Sequence, residues 1–417
     1  MAEKVLGLKC KNCDAVYPAA AQHVCNLCFG PLEVVYDYDV IRARVSRERI
    51  AAGPNSLWRY ADLLPLESGW ENNVRVGFTP LQRASKLADR LGLGELWLKN
   101  DSLNPTFSFK DRPVTVALAK ARQLGYEVFA CASTGNLASA VAGAGARTPL
   151  DIYVFMPSDV ESGKVLNAAV YGAKLIAVDG TYDQLNRLCS EIADEEDWAF
   201  CNINMRPYYA EGSKTLAFEV VEQLGWRAPD QVVVPIASGA LYTEIAKGFR
   251  ELVEVGLLES QSVVISGAQA AGCSPVADAF ASGATEFEPV RDPDTLAKSL
   301  AIGNPADGNY SLEVARSTGG VIEKVSDDEV VEAIKILAAD EGIFTEPAGG
   351  VTVATLIKLA RQGRFGRDES VVAYITGNGL KTQEALDGIG VANMTIAPTL
   401  GSFEDAIAAD ARTPVFA

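Results

Sequence analysis

The 417-residue chain contains one histidine, His23, and none in the 394 residues that follow it. Ser-His-Asp and Cys-His nucleophile activation need an imidazole, so both are excluded from the main body, as are histidine-ligated metal centres. Proton transfer there falls to Lys, Asp, Glu, Tyr or a cofactor. Positive charge is also scarce: 37 Lys and Arg stand against 54 Asp and Glu, a formal net charge of −17. So acidic a chain is a poor ligand for phosphate backbones and anionic bilayers, which argues against nucleic-acid and membrane partners. No apolar run reaches the roughly 18 residues a membrane span needs. The opening Met1-Ala-Glu-Lys-Val-Leu leads into cysteine and charge, not an apolar signal core, so a cytoplasmic protein is expected.

What is present is an ordinary globular composition, 48% hydrophobic and 22% charged, too apolar for disorder. At about 150 residues per domain, the length suggests two or three domains. The cysteines are unevenly placed. Four form a C-x2-C-x11-C-x2-C array at Cys10, Cys13, Cys25 and Cys28. Two such knuckles converge on one tetrahedral zinc ion, and four thiolates leave no open position for catalysis. Asp14 to Val24 is short enough for a hairpin, and Pro31-Leu-Glu-Val-Val-Tyr reads as a closing strand. Two disulfides are the alternative, disfavoured because Cys131, Cys189, Cys201 and Cys273 are scattered through apolar stretches with no sign of secretion.

Residues 41–75 read as a linker-like approach. From about residue 90, short β-branched or apolar runs alternate with helical patterns. They are Glu95-Leu-Trp-Leu-Lys-Asn-Asp, Val128-Phe-Ala-Cys-Ala-Ser, Asp151-Ile-Tyr-Val-Phe-Met-Pro, Lys174-Leu-Ile-Ala-Val-Asp, Trp198-Ala-Phe-Cys-Asn, Gln231-Val-Val-Val-Pro-Ile, Ser262-Val-Val-Ile-Ser-Gly and Val371-Val-Ala-Tyr-Ile-Thr-Gly. This rhythm means buried parallel sheet. Ser326-Asp-Asp-Glu329 has the form of a capping box opening a helix over Val330 to Ala339. The acidic, alanine-rich tail after Gly401 is expected to be loosely held.

Ligands in such sheets bind beyond the carboxyl ends of the strands, which directs attention to the turns. In Asn104-Pro-Thr-Phe-Ser-Phe-Lys110-Asp-Arg112, one lysine sits among phenylalanines. Desolvation would keep its amine neutral and fit for a Schiff base, although on this segment alone a lysine snorkelling from a helix start reads better. Ser133-Thr-Gly-Asn-Leu-Ala-Ser139 opens a helix and either cradles an anion or simply caps. Pro235-Ile-Ala-Ser-Gly-Ala240 can hold a phosphate at a helix start but lacks the usual several glycines. Thr376-Gly-Asn-Gly379 offers a hydroxyl to a ring nitrogen, or another cap.

In this order, the four turns resemble the tryptophan-synthase-β-like (fold type II) pyridoxal-phosphate enzymes and, within them, the threonine synthase family. Phe78-Thr-Pro-Leu81, Glu211-Gly-Ser-Lys-Thr215, Ile302-Gly-Asn-Pro305 and Glu346-Pro-Ala-Gly-Gly350 extend the resemblance, which runs from about Leu57 to about Leu386. It implies an α/β protein with two open parallel-sheet domains behind a zinc-ribbon-like segment. The expected division is 1–38, the ribbon; 39–225, carrying the lysine and the asparagine loop; 226–400, carrying the phosphate turn; and 401–417, the tail.

By the resemblance, Lys110 forms the Schiff base with pyridoxal 5'-phosphate and Asn136 donates to its 3′ oxygen. Ala237, Ser238, Gly239, Ala240 and Leu241 hold the cofactor's phosphate, and Thr376 faces its ring nitrogen. Ser133, Thr134 and Gly135 belong to the substrate-carboxylate loop, and Asn204 and Arg206 are candidates for the substrate's phosphate, with a surface turn as their alternative. Leu137, Ile236, Ala237, Phe107 and Pro113 depart from the residues common at those places. The implied reaction converts O-phospho-L-homoserine and water to L-threonine and phosphate, in a homodimer. Rival readings are a cysteate synthase-like β-replacement on O-phosphoserine, a serine or threonine dehydratase, and a non-catalytic zinc-ribbon regulatory protein.

Overall fold

The computed structural model of the protein describes residues 3–70, 75–159, 162–180, 182–259, 262–386 and 395–410. The apolar runs become strands, and most lie within two residues of the expected bounds. At the front, β1 (Val5–Cys10), β2 (Val16–Tyr17) and β3 (Leu32–Tyr36) form an antiparallel sheet in the order β2–β1–β3. The strand expected after Pro31 is β3.

The body follows with β4 (Leu81–Arg83), β5 (Glu95–Asn100), β6 (Val128–Ala132), β7 (Asp151–Pro157), β8 (Lys174–Val178), β9 (Trp198–Phe200), β10 (Gln231–Pro235), β11 (Val264–Ala270), β12 (Ile322–Val325) and β13 (Ser370–Ile375). Two sheets result. The larger has the order β12–β11–β10–β13–β5–β4, parallel except for β4, and the smaller is a parallel β8–β7–β6–β9. The larger sheet draws β5 from one part of the chain and β10 to β13 from another, because the β5–β13 pairing closes across some 270 residues. β10 and β13 are buried along their whole length, as parallel strands covered on both faces must be. The edge strands β4 and β12 lack an apolar run: Leu-Gln-Arg and Ile-Glu-Lys-Val carry polar residues that a one-sided edge tolerates.

The capping box forms. Ser326 Oγ accepts from Glu329 N at 3.2 Å, Glu329 Oε2 accepts from Ser326 N at 2.7 Å, and the helix runs Asp327–Glu341. The stretch before β4 departs from its linker-like reading. Leu57–Leu63 is a buried 3-10 segment, and the Arg59 guanidinium meets Glu222 at 2.6 Å. Its aromatic and aliphatic side chains bury against the core, which polar linkers do not do. Residues up to Thr382 form one compact unit and Gln383–Ala417 a second. Within the second, the tail reads as a helix, Leu400–Asp410, with Leu400, Phe403 and Ile407 exposed. Among the described residues no helix is long and apolar enough to cross a membrane.

A buried charge cluster sets the start of the helix Asp111–Gln123. Glu219, fully buried, takes Arg112 Nη1 at 2.5 Å and Lys99 Nζ at 2.6 Å, and Arg112 Nε also reaches Asp101 at 2.6 Å. The Phe78 and Thr79 amides donate to the same carboxylate. Burial alone would raise the Glu219 pKa, but Arg112 and Lys99 outweigh it and hold the carboxyl at about 2. Its contribution is therefore present above the ordinary value of 4.5 and is lost as the pH falls towards 2. We expect Glu219→Gln, which leaves two buried cations short of counter-charge, to destabilise the fold by about 3–5 kcal/mol. Chemical denaturation at pH 7 measures this, and a loss no larger than the roughly 0–1 kcal/mol of a surface pair would contradict the reading.

Candidate active site

Lys110 is positioned by backbone pairing between two loops. The Phe109 amide donates to Thr376 O at 2.8 Å, the Asn378 amide donates to Phe107 O at 3.0 Å, and Ser108 bridges to Gly377. Phe107 makes this possible by adopting a left-handed φ of 64°, a conformation uncommon for a side chain of its bulk. Lys110 then stands at the N-cap of the helix Asp111–Gln123. Its amine does not snorkel to solvent: Nζ donates to Tyr209 Oη at 2.7 Å and lies 4.7 Å from the Phe109 ring centre. Burial pulls the Lys110 pKa down to about 8, against the opposing fields of Cys201 and Glu346.

Thr376 ends β13 beside this lysine loop. It is 2% exposed, and its Oγ1 has no hydrogen-bond partner among the described residues. A buried hydroxyl left unpaired costs free energy unless a ligand completes it. Asn136 opens the helix Asn136–Gly145 after β6, and its Nδ2 donates to Glu346 Oε2 at 2.8 Å. Glu346 in turn donates its backbone N–H to Gly377 O at 3.0 Å. Burial raises the Glu346 pKa, while Asn136, Lys381 and Lys110 oppose the rise. Glu346 thereby ties Asn136, after the smaller sheet, through its carboxylate, and the Gly377 turn next to Thr376, after the larger, through its backbone.

The turn after β10 leads into the helix Ala240–Glu254, with Gly239 at its N-cap. Gly239 has φ 90°, and a Cβ there would stand 2.7 Å from Asp307 O, so only glycine fits. Ala237, Ser238, Ala240 and Leu241 flank it, and first-turn N–H groups have no intrahelical acceptors. Gly135, the N-cap of the asparagine helix, is exposed with open space where a Cβ would be. Beside it the Ser133 amide donates to Phe155 O at 3.0 Å, Ser133 Oγ accepts from Gly135 N at 3.3 Å, and Thr134 is half-buried. These turns lie at the carboxyl ends of β10, β13 and β6, where open parallel sheets bind ligands.

Asn204 and Arg206 are placed differently from each other. The Asn204 amide is consumed by its own turn: Oδ1 accepts from Phe200 N at 2.7 Å and Nδ2 donates to Trp198 O at 2.9 Å. Arg206 Nη2 meets Asp307 Oδ2 at 2.5 Å, and the Asp307 amide donates to Ser238 O at 2.8 Å. Burial would raise the Asp307 pKa, but Arg206 and Lys11 outweigh it and hold the carboxyl below its ordinary range.

Two residues of the site escaped sequence reasoning. Glu346 was visible as part of a motif, and Pro347 behind it marks a helix start, but its reach to Asn136 was not legible. Tyr209 had no signal, because its contact with Lys110 spans 99 positions.

At the front, the four cysteine sulfurs lie within 4.8 Å of one another, with Cys10–Cys28 at 3.4 Å and Cys13–Cys25 at 3.6 Å. Four thiolates around one zinc at about 2.3 Å have sulfurs a little under 4 Å apart, so the cluster fits such an ion. The Asn12 and Leu27 amides each donate to a cysteine sulfur at 3.4 Å. Asp14 and Phe29 supply the left-handed turns.

An amine lowered to about 8, an unpaired buried hydroxyl and a glycine-started helix N-terminus form a donor set that fits an aldehyde cofactor carrying a phosphate and a ring nitrogen. Comparison agrees. Residues 73–377 match the family model described as pyridoxal-phosphate dependent enzyme. The chain is 38% identical to a threonine synthase of Methanocaldococcus jannaschii, over 90% of this chain and 93% of that one. It is 39% identical to a threonine synthase of Methanosarcina acetivorans, over 91% and 93%. Among solved structures, a tomato (Solanum lycopersicum) threonine deaminase superposes with TM-score 0.65 at 21% identity, covering 89% of this chain and 98% of that one. Maize serine racemase does so with TM-score 0.63 at 18% identity, covering 90% and 98%; both show the shared fold. On the family match over residues 73–377 and these identities, the chain belongs to the pyridoxal-phosphate dependent enzymes and, within them, to the threonine synthase family.

Proposed function

We propose that this protein converts O-phospho-L-homoserine and water to L-threonine and phosphate. The observation that carries the reading is the lysine amine held by Tyr209 on a loop whose backbone bonds that of a threonine with an unpaired buried hydroxyl, in a chain 38% identical to a threonine synthase over 90% of its length. Bound pyridoxal phosphate supplies an electron sink for negative charge developing on the substrate carbons.

The chain's own groups supply the rest. Lys110 would be the attachment point for the cofactor and, once freed, the base: its Nζ takes the α-proton and then a Cβ proton as phosphate departs from Cγ, and returns protons to Cγ and Cα, while water adds its hydroxyl at Cβ and its remaining proton leaves with the phosphate. A pKa near 8 lets one amine act both ways close to neutral pH. Tyr209 holds that amine in place. Thr376, whose buried hydroxyl is unpaired among the described residues, would offer it to the ring nitrogen. A hydroxyl does not force a proton onto that nitrogen as a carboxylate does, which moderates the sink and favours elimination over transamination. Asn136, tethered by Glu346, would hold the cofactor's 3′ oxygen. Ala237 to Leu241 take the cofactor's phosphate on the helix N-terminus, and Ser133, Thr134 and Gly135 take the substrate's carboxylate. Arg206 takes the substrate's phosphate, for which a guanidinium is geometrically suited, while Asn204 holds the turn that presents it. We further propose a structural zinc ion on Cys10, Cys13, Cys25 and Cys28, and a cytoplasmic homodimer.

The decisive experiment supplies O-phospho-L-homoserine to cofactor-loaded protein and quantifies threonine and phosphate together. Equal release is expected, and Lys110→Ala should abolish it while leaving the circular dichroism unchanged. Phosphate without threonine, or turnover with phosphoserine and sulfite instead, would replace the reading with another chemistry of the same cofactor. A second expectation concerns pH. The neutral Lys110 amine grows as pH rises through about 8, so capture of added cofactor by cofactor-free protein, followed by visible absorbance, should accelerate with a midpoint near that value. A midpoint above 10, where unperturbed lysines titrate, would show that the amine is solvated. A third concerns zinc. Cys25→Ser should lower zinc content and the melting temperature, with the cofactor's absorption band retained. A metal-depleted enzyme that kept its melting temperature but lost turnover would contradict a structural role.

A further inference from the structure

Asp307 stands where three parts of the molecule meet. Its backbone N–H braces the turn before the helix Ala240–Glu254 through Ser238 O, at 2.8 Å. Its carboxylate receives Arg206 Nη2 on one oxygen at 2.5 Å and Lys11 Nζ on the other at 3.0 Å. Lys11 lies inside the first cysteine knuckle, between Cys10 and Cys13, with its ammonium 4.2 Å from the centre of the Tyr310 ring. Tyr310 donates in turn to Asn12 of the same knuckle. The front segment touches the Arg206 loop twice more: the Gln22 amide donates to Asn204 O at 2.8 Å, and Tyr208 Oη donates to Ala20 O at 3.0 Å.

The charges of this trio matter for a phosphate. The Asp307 side chain is only 5% exposed, so its charge must be balanced locally. Arg206 paired one-to-one with Asp307 would be neutral in sum and would have little attraction for a dianion. With Lys11 on the second oxygen, two cations share one anion and the trio keeps one net positive charge. Arg206 uses Nη2 for Asp307, and a guanidinium has five donors, so it can turn others to a ligand.

We propose that Lys11 is a positioning residue for phosphate recognition: it balances Asp307 so that Arg206 remains free in charge and geometry for the substrate's phosphate. The cysteine knuckle thereby contributes to substrate binding as well as to folding. This rests on the reading of Arg206 given above. The cofactor's phosphate is the other monoester within reach of this corner, but the helix N-terminus already serves it.

The test uses cofactor-loaded enzyme, with inorganic phosphate as the calorimetric probe and O-phospho-L-homoserine in steady-state kinetics. In Lys11→Met, the phosphate Kd and the substrate KM should rise about tenfold, as expected for loss of one nearby charge, with the change falling on KM more than on kcat. Lys11→Arg should restore both, with zinc content and the cofactor band kept. Asp307→Asn, which lies outside the knuckle and leaves two cations unopposed, should tighten phosphate binding, and it decides the matter if Lys11→Met disturbs the metal. An unchanged phosphate Kd in Lys11→Met, or no tightening in Asp307→Asn, overturns the proposal. So does weakened affinity for pyridoxal phosphate in place of inorganic phosphate. Arg206→Ala separates the two levels. If it leaves the phosphate Kd unaltered, the reading of Arg206 fails; if it weakens binding while Lys11→Met does not, the role of Lys11 alone fails.

Discussion

The backbone bonds that join residues 107–109 to residues 376–378 are the constraint on which the site depends. They bring a lysine from the loop after β5 against a threonine at the end of β13. β5 and β13 are neighbours in the larger sheet, paired in register from Glu95↔Ser370 to Asn100↔Ile375. The sheet thus sets the approach and the loop bonds set the final position. Gly377 is the shared acceptor, because Glu346 and Thr345 also bond its carbonyl. Any shift of that turn would move the lysine, the threonine and the carboxylate together.

Around this centre, burial acts in opposite directions for different purposes. At Lys110 it weakens the ammonium, leaving an amine that can lose its proton near neutral pH. At Glu219 opposite charges overcome it, leaving an ion cluster that anchors the helix two residues further on. Reactive amine and rigid anchor are therefore neighbours in sequence but opposites in environment. Among the described residues the lysine has a phenol as hydrogen-bond partner and no carboxylate bonded to it, while Arg112 has two carboxylates.

The cysteine-rich front end is joined to the body by charges as well as by apolar packing. Tyr36 of β3 donates to Glu211, and Glu211 pairs with Lys214 and Lys247 inside the body. Lys11 reaches Asp307, whose amide bonds the turn after β10 at Ser238 O. Such buried pairs need matched geometry on both sides, so the segment that carries the four cysteines sits in one defined place against the body.

The sequence alone determined the elements and the reacting groups. Continuous apolar runs mark strands because a strand's burial is written locally in its side chains; β3, β5 to β11 and β13 were legible that way, whereas β1, β2 and the polar edge strands β4 and β12 were not. The single histidine left proton transfer to Lys, Asp, Glu, Tyr or a cofactor, the order of the four turns pointed to the family, and the doubled knuckle spacing announced a four-sulfur cluster. What only the tertiary structure decided is which groups meet. Tyr209 against Lys110, Glu346 against Asn136, and Lys11 with Arg206 on Asp307 join positions about 100 to 300 residues apart. Side-chain identity carries no record of such distances. The same folding turned Asn204 inward onto its own backbone and left Arg206 with a partner, a distinction set by where each side chain points once the turn has closed.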